Sequence, residues 1–198
     1  RRVQKIAEEK IKSGYHVRLH ASLPCTPWSR MTQIRAAVSR VYFLRRAVQR
    51  KQSRQMLKIL TDLLERLKGP KFGASFEWPL RCIGFEPQQC PEIRRLLDLL
   101  PVEVHTDGCA HGLRSRKTGL PLRKPWRIQT NCAAMEKALS QRCPGRERHP
   151  VHAPTLGRDA VDSGQYTQMM VRRLAQGLCS RPCTRRPADS REVNMADP

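Results

Sequence analysis

The stretch Leu19-His20-Ala21-Ser22-Leu23-Pro24-Cys25-Thr26-Pro27-Trp28-Ser29 decides how the chain folds. Val17, Leu19 and Ala21 alternate with polar residues, the period of a half-buried strand. Pro24 and Pro27 end that alternation. Each ring fixes its own φ and restricts the residue before it, so Cys25 is presented with little backbone freedom. Beyond the turn, Ile34, Ala37, Val38, Val41, Leu44 and Val48 follow a helical period, which resumes at Met56, Leu60, Leu63, Leu64 and Leu67. Gly69-Pro70 stops it, and the all-polar run from Arg50 to Gln55 allows either one long helix or two. Strand, rigid turn and helix make the first step of an α/β unit, in which chemistry collects at the carboxyl ends of strands. The plainer alternative is a stiff turn whose cysteine only packs.

Upstream, Arg1 to Ser13 carries Val3, Ile6, Ala7 and Ile11 at helical spacing, with Gly14 as a stop. The chain opens in this helix without an initiator methionine, as a piece of a longer protein would. Downstream, Phe72 to Trp78 reads as a buried strand, and Cys90 to Leu100 as a helix with Pro91 in its first turn. Val102 to Thr106 and Trp126 to Thr130 read as strands on either side of a basic, glycine-containing loop. Ala133 to Leu139 and Gln165 to Gln176 read as helices, and Leu178 to Pro198 as a disordered basic tail. The alternation predicts an α/β fold with parallel crossovers. The expected units are a helical fragment at 1–16, an α/β domain at 17–142, a Cys/His loop with a helix at 143–177, and the tail at 178–198. No glycine-rich phosphate loop follows a strand.

The 198 residues include 38 Lys and Arg against 17 Asp and Glu, a net charge of +21. Such an excess points to a polyanion, DNA or RNA, bound through release of counterions. Nine of the basic residues fall between Arg30 and Lys58, with no acid among them. A phosphate-facing helix and a merely solvated basic face fit that run equally. Arg30 and Arg35 on this helix, and Arg114 and Arg116 in the later loop, are the candidate nucleic-acid contacts. No run has the roughly 18 apolar residues of a membrane span, so no membrane partner is expected. Eight cysteines spread over a chain of this size, without a signal-peptide pattern, suit reduced thiols inside the cell, the nucleus included.

Three segments together carry a resemblance. Pro24-Cys25-Thr26-Pro27-Trp28-Ser29 resembles the Pro-Cys-x-Pro-aromatic-Ser loop of cytosine-5 DNA methyltransferases. Phe76-Glu77-Trp78-Pro79, one helix later, resembles their second signature, where a glutamate ends the next strand. The loop holding Arg114 and Arg116 is similar to their Gln-x-Arg-x-Arg region, though the glutamine is missing. The whole series also resembles segments of retroelement-derived polyproteins.

The resemblance implies the catalytic half of a Rossmann-like methyltransferase sheet, with Cys25 as nucleophile and Glu77 as the acid that holds the base. A thiolate must add to the pyrimidine before its carbon can accept a methyl group, and the base must be flipped out to be reached. S-adenosylmethionine would belong only to a complete parent, because no strand with a glycine-rich turn precedes Cys25. Methyl transfer by this fragment alone is not expected.

Cys143, His149 and His152, together with Cys109 in preference to Cys132, could supply four ligands to tetrahedral zinc. Their spacing matches no standard zinc finger. Two alternatives therefore stand beside a methyltransferase-like, nucleic-acid-binding domain. One is a non-catalytic module stabilised by zinc, and the other is a degenerate reading frame without function.

Overall fold

Alternation at Val17–Ser22 becomes strand β1 (Val17–Ser22), and the turn after it becomes a short 3₁₀ segment, Thr26–Trp28. Ser29 then caps helix α2 (Arg30–Val38), its hydroxyl accepting from the Thr32 amide. The long helical pattern breaks at Ser39, which is extended, and not at 50–55; α3 (Arg40–Leu67) runs unbroken through that polar run. Leu57, Leu60, Leu64 and Leu67 of α3 are buried, whereas Val41, Phe43, Leu44 and Val48 in its first half stay exposed. The apolar period thus continues past the part of the helix that has a core to pack on.

The computed structural model describes residues 2–180 and shows a mixed α/β fold built on a four-stranded sheet. The remaining strands are β2 (Phe72–Pro79), β3 (Val102–Asp107) and β4 (Pro125–Thr130), in the order β1-β2-β4-β3. β1 and β2 are parallel, Ser22 standing opposite Glu77. β4 runs antiparallel to both neighbours, with Glu77 opposite Ile128 and Ile128 opposite Val104. This corrects the expectation of parallel crossovers alone. No helix separates β3 from β4, and residues 108–124 fold back as a hairpin pinned by Leu122 N to Leu113 O and Gly108 N to Lys124 O. Without a crossover the returning strand must be antiparallel.

Period-2 burial divides the sheet between two cores. Phe72, Ala74, Phe76 and Trp78 point to one face, where α1 (Arg2–Lys12), α3 and α4 (Ile93–Leu99) cover them. Val104, Trp126 and Ile128 belong to the other core, under α5 (Ala134–Leu139) and α7 (Gln168–Cys179). A short α6 (Gly157–Asp162), with no strong apolar period, precedes α7. Two glycines are fixed by close approach. A Cβ on Gly84 would sit 2.5 Å from the Trp78 ring and 2.9 Å from Trp28, and one on Gly108 would sit 2.7 Å from Leu113.

Among the described residues no helix is long and apolar enough to cross a membrane. Most of the tail expected at 178–198 lies outside the described residues, while Leu178 and Cys179 close α7.

Candidate functional site

Two clusters of reactive side chains lie on this frame. The first is at the carboxyl ends of β1 and β2. Glu77 is buried, and its Oε2 accepts from the Tyr166 hydroxyl at 2.6 Å and from Ser22 Oγ at 2.9 Å. The Tyr166 oxygen is 3.0 Å from His20 Nε2, and His20 Nδ1 is 2.8 Å from Ser75 Oγ. Ser22, Ser75, His20 and Glu77 share one face of the sheet because the two strands run in register. Burial lowers the His20 pKa to about 4, so the ring is neutral. Burial also raises the Glu77 carboxyl, against the Tyr166 and Ser22 hydrogen bonds.

Cys25 lies just beyond β1, half-buried at the rim of the core under α3. The two candidate catalytic residues therefore lie toward opposite faces of the sheet, an arrangement that does not favour both reaching one base. Cys25 still feels the Glu77 charge. Cys25 is raised first by burial, then lowered by Lys124 and raised by the Glu77 charge. Lys124 acts on Glu77 too, donates to the Ser163 carbonyl at 2.8 Å and lies over the Trp126 ring. The result is a held carboxyl beside a thiol that burial keeps protonated, with one lysine facing both.

The second cluster joins the carboxyl end of β3 to the loop after α5. Cys109 sits in the 3₁₀ turn Gly108–His111; Cys143, His149 and His152 lie on the loop. Their four ligand atoms all lie within 4.8 Å of one another, so this group could hold a metal ion. Cys143 Sγ is 3.4 Å from His152 Nε2 and 3.7 Å from His149 Nδ1. Zinc bond lengths of 2.0–2.3 Å give a tetrahedron with edges of about 3.3–3.8 Å, within reach of small side-chain rotations. Burial, then the neighbouring Cys143, push the Cys109 thiol up to about 12. Its thiolate needs a cation beside it, which a metal would supply.

Asp107 supports this loop from behind. Its fully buried carboxylate accepts from the Cys143 amide at 2.9 Å and faces Arg142 at 3.4 Å and Arg123 at 3.9 Å. The loop leaves through an Ala153 amide bond to the Pro121 carbonyl. His111, close in sequence to Cys109, is used otherwise: its ring contacts Thr106 and Arg173, and its carbonyl accepts from Thr167.

The four candidate arginines do not form one site. Arg30 and Arg35 are exposed on α2. Arg114 donates to the Gly119 carbonyl within its own turn, and Arg116 faces Asp162 and Gln165. Lys124, Tyr166, His20 and Asp107 are the residues that sequence reasoning missed. Tyr166 lies 89 positions from Glu77, and nothing local marks it. Comparison of the chain with family models, with curated proteins and with solved structures gives no match.

Proposed function

We propose that this chain is a methyltransferase-like α/β domain of retroelement origin that binds nucleic acid and does not itself transfer a methyl group. What supports the reading is the placement of Glu77 at the end of β2 and of Cys25 just beyond its parallel neighbour β1, with Lys124 acting electrostatically on both, together with the net charge of +21. The reversed β4 between β2 and β3 also suits the end of a methyltransferase-type sheet, where a final hairpin folds a strand back into the parallel row. A resting nucleophile needs a lowered pKa, and burial moves Cys25 the other way. That favours binding over catalysis.

The residues do not fit S-adenosylmethionine. Gly84 and Gly108, beside the ends of β2 and β3, are filled against by Trp78, Trp28 and Leu113, and leave no backbone cradle for a cofactor. The net charge of +21 supports a polyanionic partner, met inside the cell and, for DNA, in the nucleus. Anisotropy titrations with labelled single- and double-stranded oligonucleotides at several salt concentrations test the proposal. Affinity should fall steeply with salt. Affinity indifferent to salt, or methyl incorporation above background, overturns it.

A second feature of the same domain is zinc, carried by the convergence of Cys109, Cys143, His149 and His152. Two thiolates and two imidazoles form a donor set suited to a closed structural zinc site. Its role is to staple the loop after α5 to the end of β3. Elemental analysis of protein purified without chelator should give about one equivalent of zinc. Less than about a tenth of an equivalent ends the idea.

A further inference from the structure

Arg46 and Arg50, one turn apart on α3, both donate from Nε to the same acceptor, the Pro27 carbonyl, each at 3.2 Å. Arg50 also lies over the Trp28 ring, 4.7 Å from its centroid, and the Trp28 indole nitrogen is anchored on Ser53 Oγ at 2.7 Å. The two guanidinium groups are thus fixed side by side on a rigid turn. One Nη2 of each is buried without a hydrogen-bond partner. Among the described residues no carboxylate lies within ion-pair distance of either one; Glu92, at the start of α4 and lining the same groove, faces Arg54 and Lys58 instead.

Such an arrangement costs stability as it stands. Like charges held together in a partly desolvated place repel, and each unpaired donor carries a desolvation cost. An anion at the exposed edge of the pair relieves the repulsion, although the buried Nη2 atoms themselves are closed to it. Paired planar guanidiniums match the oxygens of phosphate in shape as well as charge. Arg50 and Lys51 also line an open groove of about 490 Å³ along α3, and Pro27 lies two residues after Cys25.

We propose that Arg46 and Arg50, clamped on the Pro27 carbonyl and backed by Trp28, hold a backbone phosphate of a bound nucleic-acid strand beside the Cys25 loop. The proposal rests on the nucleic-acid reading above and names the face of the domain that reading leaves open. It also replaces the exposed Arg30 and Arg35 with a pair that the fold has pre-ordered.

The test is the slope of log affinity against log salt, measured by anisotropy with a labelled oligonucleotide. Arg46→Gln/Arg50→Gln should reduce the slope by about 0.7 to 0.9, the loss of one neutralised phosphate. Lys137→Gln/Arg172→Gln removes the same charge from exposed positions on α5 and α7, and should change it by less than about 0.5. Arg46→Lys/Arg50→Lys keeps the charge but loses the fork, so the slope should hold while affinity drops several-fold. An unchanged slope in the glutamine pair, or an equal change in the control pair, overturns the site while leaving nucleic-acid binding intact. If the glutamine pair fails to fold, the lysine pair decides, and unchanged affinity there overturns the site. No oligonucleotide binding by the wild type, with or without capture on anionic lipid vesicles, overturns both proposals together.

Discussion

Cys25 and Cys143 are both half-buried thiols, yet their surroundings point to different chemistry. Cys25 has a carboxyl, a lysine and the buried Cys82 thiol as electrostatic neighbours, and no histidine is among them. Cys143 has a cysteine and two histidines within 4.8 Å. The first sits in a local motif, fixed by two prolines, whose residues are easily recognised and whose environment does not activate the thiol. The second belongs to a set assembled from a strand end and a distant loop, and its chemistry is legible from the donor atoms alone. A familiar motif is a weaker guide to chemistry than a set of converging ligand atoms.

The sharpest way to break this comparison is to test for the proposed zinc. Cys143→Ser, or chelation of the wild type, should lower unfolding free energy by more than about 3 kcal/mol or abolish a cooperative melt, since metal binding is folding free energy here. Thermal melts with and without chelator measure it, and a chelator-insensitive melt contradicts it. Next in size are two glycine substitutions, one in each core. Gly84→Ala drives a methyl group into the Trp78 and Trp28 rings and should cost about 2 kcal/mol or more in urea unfolding. Gly177→Ala meets the Met135 sulfur at 2.5 Å and the Met135 Cα at 3.0 Å, but gains about 1 kcal/mol of helix propensity in α7, so its net cost should be smaller. Equal costs would show that the two cores are packed alike at these points.

A third probe concerns the strand-end cluster. The folded-state pKa of His20 is depressed to about 4 from 6.5, so the unfolded chain binds its proton more readily. His20 therefore carries no penalty above about pH 6.5 and destabilises progressively as pH falls towards 4. Between pH 7 and pH 5 that contribution is about 2 kcal/mol. Comparing the two pH values, the stability loss of His20→Gln should be smaller than that of wild type by roughly this amount. Parallel pH profiles would place the ring in solvent. The smallest effect is expected at the opening motif. Cys25→Ser should leave oligonucleotide affinity within about twofold and stability within about 1 kcal/mol. A tenfold loss of affinity would return Cys25 to the centre of function.

Much of the element list was legible in the sequence because apolar spacing writes it directly. β1, β2, β4, α4 and α5 fall within a few residues of where alternation or helical period puts them. The α2–α3 break did not, because Ser39 interrupts the helix by its backbone while the apolar period runs straight across it. The direction of β4 was missed for a related reason: its Trp126 and Ile128 alternate as they would in a strand of either direction, and only the lack of a helix between 108 and 124 sets the sense. The cluster that could hold a metal was legible by residue type, since cysteine and histidine have few other reasons to converge. Its support was not, because Asp107 reads as an ordinary end of a strand. Tyr166 and Lys124 reach the strand-end cluster through tertiary packing, which leaves no local pattern.

The position of β4 also dictates an order of assembly. It is the last strand in the sequence, yet it lies inside the sheet, between β2 and β3. A chain emerging from the ribosome can pair β1 with β2 early, but β3 has no neighbour to join until Thr130 is out. Until then the far edge of β2 is unsatisfied, a template for wrong pairing. Completion of the sheet, and with it the second core, is therefore a late and long-range event in synthesis.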